Sequence, residues 1–142
     1  MDRKADARWT GDLKTGNGNV RLGSGSFDGP YSFSTRFEDG QGTNPEELLG
    51  AAHAACYSMA LNNSLFKAGH QPRSINTTAA VHLTKGDAGF GISAIALTTR
   101  GAVPGISAAE FQKFAEEMLV GCIVSKALSA VPMTLDAELV AR

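Results

Sequence analysis

A chain of 142 residues lies within the usual size of one domain and is long enough to bury a core without disulfide or metal staples. Thirteen Lys plus Arg against fourteen Asp plus Glu give a formal net charge of −1, without the basic excess that nucleic acid or an anionic membrane surface demands. The hydrophobic fraction of 43% is ordinary for a globular chain, and no apolar run approaches the ~20 residues of a membrane-spanning helix.

The opening Met1-Asp2-Arg3-Lys4-Ala5-Asp6 is charged and leads into Trp9-Thr10-Gly11-Asp12 instead of an apolar stretch, so it does not read as a signal peptide. A cytoplasmic location is the expectation. The two cysteines, Cys56 and Cys122, lack C-x-x-C spacing and are too few for a secreted disulfide scaffold, so they are either inert core thiols or chemistry.

Over residues 5–38 the pattern predicts three antiparallel strands, with Gly16-Asn17-Gly18-Asn19 as a turn signal and Gly23-Ser24-Gly25-Ser26 as a looser one. The third strand is expected over 31–38. Its alternation sets Tyr31, Phe33, Thr35 and Phe37 on one face and Ser32, Ser34, Arg36 and Glu38 on the polar face. A loop over 38–42 then feeds a helix with Asn44 as N-cap, Pro45 at the first helical position and Glu47 at the third to complete a capping box. This helix is predicted to run to about residue 68, where Gly69 stops it. It is rich in alanine and apolar around most of its circumference, so burial on nearly all sides is expected. A chain this small covers such a helix best with a second copy, which predicts a homodimer.

After Pro72, alternation over 75–84 and a second run over 90–100 predict a β-hairpin around Lys85-Gly86-Asp87-Ala88-Gly89. Ser107 and Glu110 form a second capping box opening a helix over 108–120, which Gly121 interrupts. A short helix over 122–128 and a last strand over 133–140 complete an α+β order with antiparallel pairing, read as a single domain over 1–142.

Among the residues that could do chemistry, Cys56 has two readings. A free cysteine in an Ala-rich helix is ordinarily a small buried hydrophobe. Its helical neighbours Leu49, Ala52, Met59, Ala60 and Asn63 nevertheless leave room for a ligand. A fast nucleophile there needs a positive neighbour, because an ordinary thiol is only a few per cent thiolate at pH 7 and the helix dipole acts mainly within the first turn. Arg36 is the candidate, otherwise a surface arginine, and Glu47 could hold it by a bidentate contact. From Glu47 to Cys56 an ideal helix turns through about 900°, which puts the two on opposite faces. If they share a site, the Arg36 and Glu47 beside a given Cys56 come from the other subunit. Cys122 opens a short helix whose backbone N–H groups favour a thiolate, or else it packs in the core. The three histidines, His53, His70 and His82, have no metal-ligand spacing and read as solvent-facing or core polar groups. Gly16-x-Gly18 lacks the further glycine and the helix of a phosphate loop.

The run from Thr43-Asn44-Pro45-Glu46-Glu47-Leu48-Leu49-Gly50-Ala51-Ala52-His53 to Ala54-Ala55-Cys56 carries a resemblance, together with Arg36 in Ser34-Thr35-Arg36-Phe37-Glu38 and the segment Gly121-Cys122-x-Val124-Ser125. With these residues the chain resembles the OsmC/Ohr organic hydroperoxide resistance family over nearly its whole length. The resemblance implies antiparallel sheets wrapped around long central helices in an intertwined homodimer, and a thiol peroxidase acting on organic hydroperoxides. It further implies that Cys56 is the peroxidatic and Cys122 the resolving cysteine, and that Arg36 with Glu47 is the polar pair that activates the thiolate. Under it the Cys56–Cys122 disulfide is re-reduced by an external dithiol, lipoyl-type in related proteins of the family, with no metal or bound cofactor. One departure stands out: the family usually has proline after the resolving cysteine, and here that residue is Ile123. Cys122 is therefore expected to be presented less rigidly, with slower disulfide formation and easier overoxidation. Two rival readings remain from other classes: a non-catalytic dimer that binds a small apolar ligand, and a peroxide sensor that passes its oxidation to a partner.

Overall fold

A computed structural model describes residues 1–141 and divides the chain into two compact units, one over 1–48 and one from Leu49 onward. In the first unit, β1 (Ala5–Thr10), β2 (Asn17–Leu22) and β3 (Asp28–Tyr31) form an antiparallel sheet in that order. The register sets Gly18 between Trp9 and Tyr31, whose rings stand 5.5 Å apart. A Cβ at Gly18 would lie 2.4 Å from the Tyr31 ring, so only glycine lets the two aromatics close over β2.

The strand expected over 31–38 does not form, and the third strand lies earlier, over residues 28–31. It ends at Tyr31 and gives way to the one-turn helix α1 (Phe33–Phe37). The physical reason is a capping box: the Thr35 amide donates to Ser32 Oγ at 3.3 Å, and the Ser32 amide donates to Thr35 Oγ1 at 2.9 Å. Those two local bonds outweigh a period-2 pattern that an eight-residue window carries by chance.

The helix α2 (Pro45–Lys67) opens at the expected cap, with the Glu47 amide donating to Asn44 Oδ1 at 2.8 Å, but the Glu47 carboxylate accepts from Thr43 Oγ1 and does not close the expected capping box. The helix ends at Lys67, two residues before Gly69, which takes the left-handed φ of +92°. In the second unit α2 buries a single stripe, His53, Tyr57, Leu61 and Leu65, spaced four residues apart and each 0% exposed. The expectation of burial on nearly all sides is not met by one chain. Ala51, Ala52, Ala55, Met59, Asn62, Asn63 and Phe66 are exposed along one side of the helix.

The sheet of this unit is built from β4 (Ser74–Gly86), β5 (Gly89–Ala102) and β6 (Met133–Leu139), in the order β4-β5-β6. The hairpin is antiparallel, as expected. The pairing of β5 with β6 is parallel, a correction to the all-antiparallel reading. Between these strands the chain passes through α3 (Ala108–Gly121) and α4 (Ile123–Ala127), and a helical crossover of this kind returns the chain in the same direction. The Ser107–Glu110 capping box that starts α3 is present, reciprocal bonds included. The core gathers the α2 stripe with Ile95 and Leu97 of β5, Phe111 and Ala115 of α3, and Cys122. Truncating a fully buried leucine such as Leu61 to alanine costs about 2–5 kcal/mol.

Candidate active site

In the first unit, Arg36 occupies the last turn of α1 instead of the polar face of a strand. Its Nε lies 3.2 Å from both carboxylate oxygens of Glu46, and its Nη2 donates to Glu46 Oε1 at 2.7 Å. This fork fixes the guanidinium plane, because two donors on different nitrogens bind one carboxylate. Glu46 is buried, while the Arg36 side chain keeps 41% of its exposure and therefore has donors left for another acceptor.

The expected contact from Glu47 is corrected by these bonds. Glu47 accepts from Thr43 Oγ1 at 2.7 Å and stays with the helix start. The reason is the position of each residue in the first turn of α2: Glu46, one residue earlier, projects on the side where α1 lies, and Asn44 Nδ2 ties the two helices together by donating to the Thr35 carbonyl at 3.0 Å. Around Arg36 the side chains of Trp9, Leu13, Tyr31, Phe33 and Phe37 line a recess of about 250 Å³. The guanidinium carbon stands 5.4 Å from the Phe37 ring centre, and Phe33 and Phe37 are 4.9 Å apart. The recess thus offers one cation within an apolar wall.

In the second unit, Cys56 is half-buried and packs against the core at the border of the exposed side of α2. Cys122 is buried, and both cysteines are free thiols. Cys122 serves as C-cap of α3 and N-cap of α4 at once, with φ −69° and ψ 148°. Its Sγ accepts from the Ser125 amide at 3.3 Å and donates to Ser125 Oγ at 3.2 Å. Ser125 Oγ in turn lies 2.7 Å from His53 Nε2, so three buried side chains from α2 and the α3–α4 corner form one chain of hydrogen bonds. Burial lowers the pKa of His53 from its ordinary 6.5, which keeps the ring neutral at neutral pH. One turn further along α2, Tyr57 donates to the Ala115 carbonyl at 2.8 Å; burial, and secondarily the nearby Cys122, push its pKa up. Among the described residues no group of His, Cys, Asp and Glu could hold a metal, and no helix is long and apolar enough to cross a membrane.

Residues 38–136 match the family model described as OsmC-like protein. The chain is also 53% identical to the peroxiredoxin OsmC of Escherichia coli over 140 residues, which cover 98% of this chain and 97% of that protein. The chain belongs to the OsmC family. Solved structures of the family share its fold: an organic hydroperoxide resistance protein of Elizabethkingia anophelis superposes with a TM-score of 0.75 at 24% identity, covering 99% of both chains. One from Bacillus subtilis gives 0.71 at 22% identity, covering 96% of this chain and 98% of that one. An OsmC-type α+β fold is thereby established for this chain.

The sequence does not single out Glu46, and it gives His53 and Ser125 no role. Glu46 was legible only if the short helix before it was seen, and the Ser32-x-x-Thr35 spacing was the signal for that helix. His53 is a core polar group, one of the two readings open to the histidines, and its four-residue spacing with Tyr57, Leu61 and Leu65 is the signal for that place. Ser125 stands in the sequence only as the end of the segment Gly121-Cys122-x-Val124-Ser125.

Proposed function

We propose that the chain is a cysteine-based thiol peroxidase that reduces organic hydroperoxides, and hydrogen peroxide less efficiently, to alcohols and water. The observation that carries this reading is the 53% identity to a peroxiredoxin across nearly the whole chain, over which the two cysteines are present.

The Cys56 thiolate attacks the distal oxygen of ROOH. The S–O bond forms as the O–O bond breaks, the alkoxide leaves and takes up a proton, and Cys56 becomes a sulfenic acid. Arg36, held in plane by Glu46, is the cation that favours the thiolate and takes up charge on the departing oxygen. Glu46 thus takes the role that sequence reading assigned to Glu47. Cys122 then attacks the Cys56 sulfur, water leaves, and an external dithiol of lipoyl type reduces the disulfide. No resident metal or cofactor enters these steps. The aromatic lining beside Arg36 supports a preference for hydroperoxides with an apolar substituent.

A homodimer is part of the proposal, supported by the apolar side chains Met59 and Phe66 that α2 leaves 74% and 63% exposed. The protein works in the cytoplasm, as one OsmC-like domain. Steady-state consumption of cumene hydroperoxide with dihydrolipoamide tests the activity. Many turnovers per chain are expected; a single stoichiometric oxidation without turnover would favour the sensor reading, and thiols that persist for hours would favour ligand binding.

A further inference from the structure

Cys122, Ser125 and His53 are linked by hydrogen bonds that the peroxidase steps above leave unused. All three are buried, with His53 at 0%, Cys122 at 1% and Ser125 at 3% exposure. A resolving thiol must lose its proton before it attacks, and a buried thiol has no water at hand to take it. We infer that Ser125 and His53 form the proton path of the resolving step, with His53 as a positioning residue that acts on Cys122 through the Ser125 hydroxyl. This inference rests on Cys122 being the resolving cysteine.

The bonding order supports the direction. With the thiol intact, Cys122 S–H donates to Ser125 Oγ, and the Ser125 O–H is left to donate to His53 Nε2. As Cys122 Sγ attacks the sulfenic sulfur of Cys56, its proton passes to Ser125 and the serine proton to His53. The S–S bond forms, the S–O bond of the sulfenic acid breaks, and the leaving hydroxide takes up the proton released from the relay as water. No further oxidant or reductant is required. The Ser125 amide remains bonded to Cys122 Sγ at 3.3 Å and steadies the sulfur while it carries charge. The far nitrogen, His53 Nδ1, is buried without a hydrogen-bond partner among the described residues. No carboxylate there strengthens the base, so at rest the proton stays on the Cys122 sulfur, and the proton that His53 takes up during the step is given on to the leaving hydroxide.

The test separates the two steps in a single turnover with one equivalent of cumene hydroperoxide, using acid quench and mass spectrometry. Dimedone-trapped Cys56 sulfenic acid reports the first step, and the Cys56–Cys122 disulfide reports the second. The quantity compared is the ratio of the two rates, which a general loss of packing leaves alone. Ser125→Ala and His53→Gln are expected to lower that ratio roughly 100-fold, in the range of a lost acid–base partner, and Ser125→Thr, which keeps the hydroxyl, to restore most of it. An unchanged ratio in Ser125→Ala and His53→Gln overturns the relay. Absence of the disulfide in the wild-type protein, with Cys56 oxidised, overturns the resolving role of Cys122 itself and the relay with it.

Discussion

Arg36 and Glu46 pair with the arginine side chain 41% exposed and the Glu46 side chain 9%, whereas the chain of Cys122, Ser125 and His53 lies wholly inside the second unit. Water reaches this pair on the arginine side and screens it in part, while the Glu46 carboxylate gave up most of its water on folding. The buried chain differs in kind. Each of its polar atoms gave up water on folding, and removing one partner strands the next at about 1–3 kcal/mol. The exposed pair is therefore arranged for an incoming molecule, and the buried one for a proton that must move where water does not reach. Activity and stability should respond differently in the two places.

The widest separation is expected for the first chemical step. Cys56→Ser should lower turnover of cumene hydroperoxide by at least roughly 1000-fold, the scale on which enzymes lose a nucleophile. Arg36→Ala should lower kcat/KM by roughly 100-fold, and it should also lower the thermal midpoint because it leaves the buried Glu46 carboxylate unpaired. Arg36→Lys should recover little, since an ammonium cannot match the bond from Nε together with that from Nη2. An unchanged kcat/KM in Arg36→Ala would remove Arg36 from the site.

A smaller effect discriminates between adjacent carboxylates. Glu46→Gln should reduce kcat/KM by about tenfold, the value of one charge-assisted hydrogen bond, and Glu47→Gln should leave it within about twofold of wild type. The reverse ranking would return the orienting role to Glu47.

That pair also shows how far the site was legible before the fold was known. The helix cap at Asn44, the stop at Gly69 and the capping box at Ser107 are local signals, and local chemistry decided them. Arg36 and the two cysteines stood out by residue type and family pattern. Whether Glu46 or Glu47 reaches Arg36 depends on α1 being a helix, which two hydrogen bonds between Ser32 and Thr35 decide against the alternation. The parallel partner of β5 and the bond from His53 to Ser125 join residues far apart in sequence, where periodicity carries no information.

For the buried region the expected signature is pH-dependent stability. Burial holds His53 below its ordinary 6.5, so the unfolded chain binds the proton first as the medium becomes acid. The stability associated with neutral His53 is whole above about pH 6.5 and is lost as pH falls from there towards the lower folded value. The slope from one proton is at most about 1.4 kcal/mol per pH unit. Denaturant melts of His53→Gln between pH 7.5 and 5, about the range where the ring titrates, should show a shallower loss than wild type; parallel curves would place the acid sensitivity elsewhere.

The smallest change concerns the corner between α3 and α4. Ile123 is 78% exposed at the first position of α4, and Cys122 before it has ψ 148°, the extended value that a following proline requires. Ile123→Pro should therefore stabilise the chain by about 0.4–1 kcal/mol and reduce Cys56 sulfinate at high peroxide doses. A destabilised variant would mean that the corner relaxes in a way that needs the Ile123 amide.

The most direct test of the peroxidase account is a thiol count after one equivalent of cumene hydroperoxide is added to the reduced protein, with Cys56→Ser and Cys122→Ser alongside. The account predicts rapid loss of both thiols in wild type, none from Cys122 in Cys56→Ser, and a trappable Cys56 sulfenic acid in Cys122→Ser. Loss of Cys122 at an undiminished rate in Cys56→Ser, or wild-type thiols that survive for hours, would contradict it.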